Sequence, residues 1–233
     1  MRILALIPAR GGSKGVPGKN IKELAGRPLL DYTAKIAKQS SLISKVALST
    51  DDEAIAKVGS ASGLEVPFTR PAELALDTTP TLPVVQHALD YYSSIGEDYD
   101  AVCLLEVTSP FRTVAFLDQA IKKFIDLDAD SLVSVLEVPA TYNPHWTFEE
   151  NKDGYLAIST GEGQIIPRRQ ALPKAYHRDG SVYLTKASII RSGSLYGSKM
   201  TFLENDPKNY VNIDTLDDWK EAENWISLHG SPE

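Results

Sequence analysis

A chain of 233 residues, 42% of them hydrophobic, has the length of one large α/β domain and needs no disulfide staples to fold. Its net charge of −7 argues against general nucleic-acid binding, and its single cysteine, Cys103, excludes an intrachain disulfide framework. No apolar run approaches the roughly 20 residues of a membrane span, and the short apolar start gives way at once to glycines, unlike a secretory signal. A reducing, cytoplasmic setting is the expectation.

The first element is an apolar strand over 3–7, I-L-A-L-I. It breaks into the loop P-A-R-G-G-S-K-G-V-P-G-K-N, which carries Gly11, Gly12, Gly15 and Gly18 together with the cations Arg10, Lys14 and Lys19. Glycine lets a backbone come close and turn its N–H groups inward, and the cations neutralise charge. A buried strand opening into such a loop points to a nucleotide triphosphate. The loop is neither G-x-x-x-x-G-K-[ST] nor G-x-G-x-x-G, so it is not a Walker A or a dinucleotide fingerprint.

Further strands are expected over 45–49, 65–68, 101–105 and 131–138. Helices are expected over 28–39, 52–62, 81–94 and 115–127, with Asp52 capping the second. The alternation predicts an α/β fold with a doubly wound, mostly parallel sheet, in which ligands sit at the carboxyl ends of strands. The pattern changes after Val138. Residues 139–180 read as an insertion with a small β-excursion around 146–159. A strand over 181–185 and a helix over 216–228 close a single domain spanning 1–233.

Three later segments carry chemistry. T-S-P-F-R at 108–112 follows a strand end, which makes Ser109 a binding-loop candidate, and Arg112 is either a surface charge or half of a buried ion pair. Arg168-Arg169-Gln170 offers adjacent guanidinium groups that can hold a carboxylate bidentately, or forms a solvated basic loop. Asp214, before the last helix, is either its N-cap, a job Asp217 can share, or a Mg²⁺ ligand, since that ion takes one or two carboxylates plus substrate phosphates. The four histidines show no metal-site spacing.

The loop A-R-G-G-S-K-G-V-P-G-K-N resembles the signature of the acylneuraminate cytidylyltransferases, the CMP-sialic acid synthetases. The resemblance runs nearly end to end, through S-T-D-D at 49–52, R-P-A-E-L-A at 70–75, T-S-P-F-R, P-R-R-Q-A-L-P at 167–173 and I-D-T-L-D-D-W at 213–219. It implies a Rossmann-like nucleotidyltransferase that joins CTP to a nine-carbon α-keto acid sugar, giving a CMP-sugar and pyrophosphate. Pseudaminic and legionaminic acid enzymes look similar. A non-catalytic nucleotide- or sugar-binding regulator on the same scaffold is the alternative from another class.

By resemblance, Arg10, Ser13, Lys14, Lys19 and Asn20 grip the triphosphate, and Arg70, Thr79 and Thr81 recognise cytosine and ribose. Glu106, Ser109, Arg169, Gln170 and Tyr183 border the sugar. Arg10, Lys14, Lys19 and Asp214 carry catalysis, with Mg²⁺ on Asp214. The chain departs from the family twice. Asn212 stands where a first metal aspartate is common and is left to ligate weakly, and Glu106 stands where relatives often carry glutamine. The resemblance further implies a homodimer in which the insertion reaches the other subunit's site, with neither nucleic acid nor membrane as partner.

Overall fold

The computed structural model describes residues 1–230. Its strands are β1 (Ile3–Pro8), β2 (Glu23–Leu24), β3 (Arg27–Pro28), β4 (Lys45–Ser49), β5 (Ala101–Leu104), β6 (Ser131–Glu137), β7 (Phe148–Glu150), β8 (Leu156–Ile158), β9 (Tyr176–Lys186) and β10 (Met200–Glu204). Its α-helices are α1 (Leu29–Gln39), α2 (Glu53–Ala61), α3 (Thr81–Ser94), α4 (Val114–Asp126), α5 (Ala187–Arg191) and α6 (Leu216–His229). The main sheet runs β10-β6-β9-β5-β1-β4. β1 pairs in parallel with β4, from Leu4 opposite Lys45, and with β5, from Ile3 opposite Ala101. β5 pairs antiparallel with β9, placing Cys103 opposite Leu184.

β1 is an unbroken apolar run because both faces of the sheet are covered. Its side chains alternate between them. Ile3, Ala5 and Ile7 join a core built with Leu29, Leu30 and Tyr32 of α1, Leu117 and Phe124 of α4 and Trp219 of α6. Leu4 and Leu6 join a second core with Val85, Leu89 and Tyr92 of α3 and Ile190 of α5. α3 matches its expected bounds, and Asp52 caps α2 by accepting from the Ile55 N–H at 2.9 Å.

Several elements differ from the sequence expectation. Residues 65–68 form no strand; Glu65 and Thr69 make only isolated bridges to Ala47 and Thr50. The β2–β3 hairpin, α5 and β10 were not anticipated, and β9 starts five residues earlier than expected.

The chain forms two compact units. One comprises Met1–Ser134 and the chain from Asp179 onward; the other is Val135–Arg178. Within the second, β7 and β8 form a hairpin with Phe148 opposite Ile158. Its loops are tied internally: the Asn143 amide donates to the Pro173 carbonyl at 2.9 Å, the Trp146 indole donates to the Ile166 carbonyl at 2.7 Å, and Lys174 pairs with Glu137 at 3.0 Å.

Candidate functional site

The glycine-rich loop leaves the carboxyl end of β1 and is braced from within the first unit. The Gly11 N–H donates to Asp51 Oδ1 at 3.1 Å, and the buried Asn20 amide donates to the Arg10 carbonyl at 2.9 Å. Gly18 takes φ +64°, a left-handed conformation suited to glycine. Gly15 is required by close approach, because a Cβ there would collide with the Asp214 carbonyl. The loop and the segment before α6 are thus packed backbone to backbone.

Together they wall a cavity of about 370 Å³. Its lining includes Arg10, Ser13, Lys14, Lys19, Asn20, Arg70, Thr79, Thr81, Glu106 and Asp214, ten of the residues singled out in the sequence. Pro8, Gly15, Leu74, Leu76, Asp77, Val84 and Thr108 complete it. α3 begins at this wall with Thr81, and no side chain caps it, so its first-turn amides remain available to an anion.

The three loop cations and Asp214 each have a defined partner. Lys19 Nζ donates to the Ile213 carbonyl at 2.7 Å and to Asp214 Oδ1 at 2.9 Å. Asp214 Oδ2 accepts from the Asn212 amide at 2.6 Å. Asp214 does not cap α6. Thr215 does, in a capping box: its hydroxyl accepts from the Asp218 N–H at 3.2 Å, and Asp218 Oδ2 accepts from the Thr215 N–H at 2.7 Å. Asp217 pairs with Lys220 instead of sharing the cap. The Asp214 carboxylate is therefore free of helix duty and 60% exposed.

Arg70 is buried on the cavity floor, donating from Nε to Ser49 Oγ at 3.0 Å and from Nη2 to the Ser49 carbonyl. Burial lowers its pKa. Behind the cavity, Arg112 is not a surface charge, and among the described residues it has no ion-pair partner. It is buried and donates to the carbonyls of Ser181 at 2.5 Å and Glu106 at 3.0 Å, and burial brings its pKa to about 10. Glu106 lies at the carboxyl end of β5. Burial pushes its carboxyl above the ordinary range, opposed by the charges of Arg112, Lys19 and Arg70.

Thr79 turns its hydroxyl to the Glu73 carbonyl at 2.8 Å, which fixes the segment between Arg70 and α3. Asp77 on that segment had drawn no attention in the sequence. Its carboxylate pairs with both Arg10 and Lys14. The signal was an acidic residue in R-P-A-E-L-A-L-D, whose meaning depends on a contact far along the chain.

The remaining expected residues lie outside this lining. Ser109 is buried, and its hydroxyl has no hydrogen-bond partner among the described residues. Tyr183 lies on β9 opposite Leu104 and packs against the α3 core. Asn212 contributes through its hydrogen bond to Asp214. Arg169 and Gln170 belong to the second unit, where they sit on a short 3₁₀ turn, 169–171, and Arg169 faces a smaller cavity with Glu137, Asn143 and Lys174.

Comparison with known proteins gives one consistent answer. The chain is 34% identical to a pseudaminic acid cytidylyltransferase of Campylobacter jejuni over 94% of its own length and 93% of that protein. It is 35% identical to a CMP-N,N'-diacetyllegionaminic acid synthase of Legionella pneumophila, covering 98% of each. It is 34% identical to N-acylneuraminate cytidylyltransferase A of Danio rerio, across 98% of this chain and 51% of that longer protein. In fold it resembles a solved CMP:2-keto-3-deoxy-manno-octonic acid synthetase complexed with CTP, with a TM-score of 0.74 at 15% identity, covering 98% of this chain and 99% of the other. A family model described as "Cytidylyltransferase" matches residues 4–200, and the chain belongs to that family.

Proposed function

We propose that this chain joins CTP to a nine-carbon α-keto acid sugar, releasing pyrophosphate and forming a CMP-sugar. The observation that carries the reading is the convergence of Arg10, Lys14 and Lys19 with Asp214 on one cavity at the carboxyl ends of β1 and β5. The relatives support the substrate class: their names cover pseudaminic, legionaminic and N-acylneuraminic acids at 34–35% identity. N-acylneuraminate is the sugar acid favoured by the loop's resemblance, and the other two are its alternatives.

In this reading the sugar hydroxyl oxygen attacks the α-phosphorus. The new P–O bond forms as the bond to the β,γ-diphosphate breaks, and the hydroxyl proton passes to solvent. Little covalent work falls to the protein. Arg10 and Lys14 offset charge on the phosphate chain, while Lys19, anchored on the Ile213 carbonyl, holds its ammonium at a fixed place in the wall. The uncapped start of α3, where Thr81 lines the cavity, adds amide donors.

A magnesium ion suits the donor set. Asp214 offers an exposed carboxylate released from capping, and no cluster of three His, Cys, Asp or Glu among the described residues forms a protein-only cage. Such an ion would take Asp214 from the chain and the rest of its oxygens from phosphates and water, supplying charge neutralisation. Asn212 donates its amide N–H to Asp214, and its carbonyl oxygen is the atom that could serve a cation.

A homodimer contact through the second unit would cover its exposed Tyr142, Tyr155 and Leu156. Among the described residues no helix is long and apolar enough to cross a membrane.

The test is pyrophosphate release from CTP with each of the three sugar acids and with none. Release that requires one of the acids supports the proposal. Binding of CTP and sugar without release would leave a regulator on the same scaffold.

A further inference from the structure

Asp77 has an unusual station. Its two oxygens are divided between two cations of the glycine-rich loop, Oδ1 on Arg10 Nη1 and Oδ2 on Lys14 Nζ. These are two of the three loop cations that face the cavity. A carboxylate spread across them has the charge and the two-oxygen edge of a phosphate group. The residue sits on the wall formed between Arg70 and α3, so the contact closes one side of the cavity onto the other.

The third cation is held differently. Lys19 donates to a backbone carbonyl as well as to Asp214, and its side chain is only 12% exposed. Lys14 is 79% exposed and Arg10 is 33% exposed, so both can exchange partners at the surface. The Lys14 and Arg10 contacts also hold the Asp77 carboxyl below its ordinary range, so it is ionised at neutral pH.

We propose that Asp77 is a resident competitor for the phosphate chain, occupying Arg10 and Lys14 until a polyphosphate displaces it. The inference rests on the reading of this cavity as the triphosphate site. An ammonium or guanidinium already paired to a carboxylate offers a second anion little, so the two anions compete for the same donors. When only the released form binds, the apparent dissociation constant equals the intrinsic one divided by the released fraction. That factor is the same for every ligand that needs both cations. It weakens CTP and pyrophosphate together. It also places a carboxylate ready to recapture the loop as pyrophosphate leaves.

The experiment is calorimetric titration of the full chain with inorganic pyrophosphate, and separately with CTP, for wild type, Asp77→Asn and Asp77→Glu. A chelator is present so that no metal contributes. Two partly exposed pairs predict that Asp77→Asn tightens both ligands by a common factor of about 2- to 30-fold, with the gain shrinking as salt is raised. Asp77→Glu, which keeps the carboxylate, stays much nearer to wild type. Melting temperatures check that all three chains are equally folded.

Unchanged or weaker pyrophosphate binding by a folded Asp77→Asn chain overturns the proposal. So does a gain confined to one of the two ligands. If wild type and both variants bind CTP but none binds pyrophosphate, the phosphate reading of the cavity fails first, and the proposal falls with it.

Discussion

The glycine-rich loop and the floor behind it both carry cations, and they hold them in opposite ways. Arg10 and Lys14 project from the loop and are partnered by a single carboxylate, Asp77, at the surface. Arg70 and Arg112 are buried and spend their donors on Ser49, Ser181 and Glu106, chiefly through backbone carbonyls. A carbonyl of the fold cannot leave, whereas an exposed side-chain carboxylate can. The first arrangement keeps charge exchangeable for a ligand; the second uses charge to fix strand ends and loops. Residue type does not separate these roles, since arginine appears in both.

Removing charge from each region should break different properties. Arg112→Met leaves the Ser181 and Glu106 carbonyls without their donor in a buried place. The expected loss is about 3 kcal/mol or more of stability, or roughly 6–12 °C in melting temperature. Arg10→Met should leave the melting temperature nearly unchanged and raise KM for CTP strongly. Thermal melts and initial rates on the two variants check this, and a large melt shift for Arg10→Met would erase the distinction.

The segment before α6 sharpens the same contrast within a few residues. Asp214→Ala should cost on the order of 10²-fold in kcat, a loss typical of removing one strong electrostatic contact, with little change in stability. Thr215→Ala, which removes the true cap, should cost about 1 kcal/mol of stability with kcat intact. Measuring kcat and melting temperature on both variants separates them, and a mirror-image result would return Asp214 to helix duty.

Much of this was legible in the sequence and some was not. β1, α3 and the loop cations announce themselves because burial on both sheet faces, a 14-residue helix and clustered glycines leave local signals. β10 left none: only Leu203 of its five residues is buried, so neither an apolar run nor a clean alternation marks it. α5, at five residues, is too short for a period to show. Residues 65–68 look like a strand by composition, but their backbone pairs with β4 only through the isolated Glu65 bridge. Ten cavity residues could be named in advance because the family signature marks them. Asp77 could not, because its importance lies in a contact between distant segments. The assignment of the α6 cap to Thr215 rather than Asp214 likewise turned on side-chain geometry.

Glu106 lies between the two regions, at the cavity but under the influence of both Arg112 and Lys19. Glu106→Gln should change the relative kcat/KM among nine-carbon acids differing in hydroxyl and acylamino groups, with KM for CTP little affected. A uniform factor for every sugar would make Glu106 a structural residue. Its raised pKa also fixes a sign. The folded chain holds this proton more tightly than the unfolded one, so the carboxyl's contribution to stability is full below the ordinary glutamate range and is lost as pH rises through the folded value. Relative to wild type, Glu106→Gln should therefore gain stability on going from acid to neutral pH. Denaturant melts at several pH values read this directly, and a gain on acidification would reverse the assignment.

The loop, the Arg70 floor and the α3 wall are proposed to form one site for CTP. The most direct test is kcat/KM for pyrophosphate release with CTP, ATP and GTP in turn, at saturating sugar acid. CTP is expected to exceed the purine nucleotides by orders of magnitude. Comparable values for CTP and ATP would mean that the cavity is not a cytidine nucleotide site.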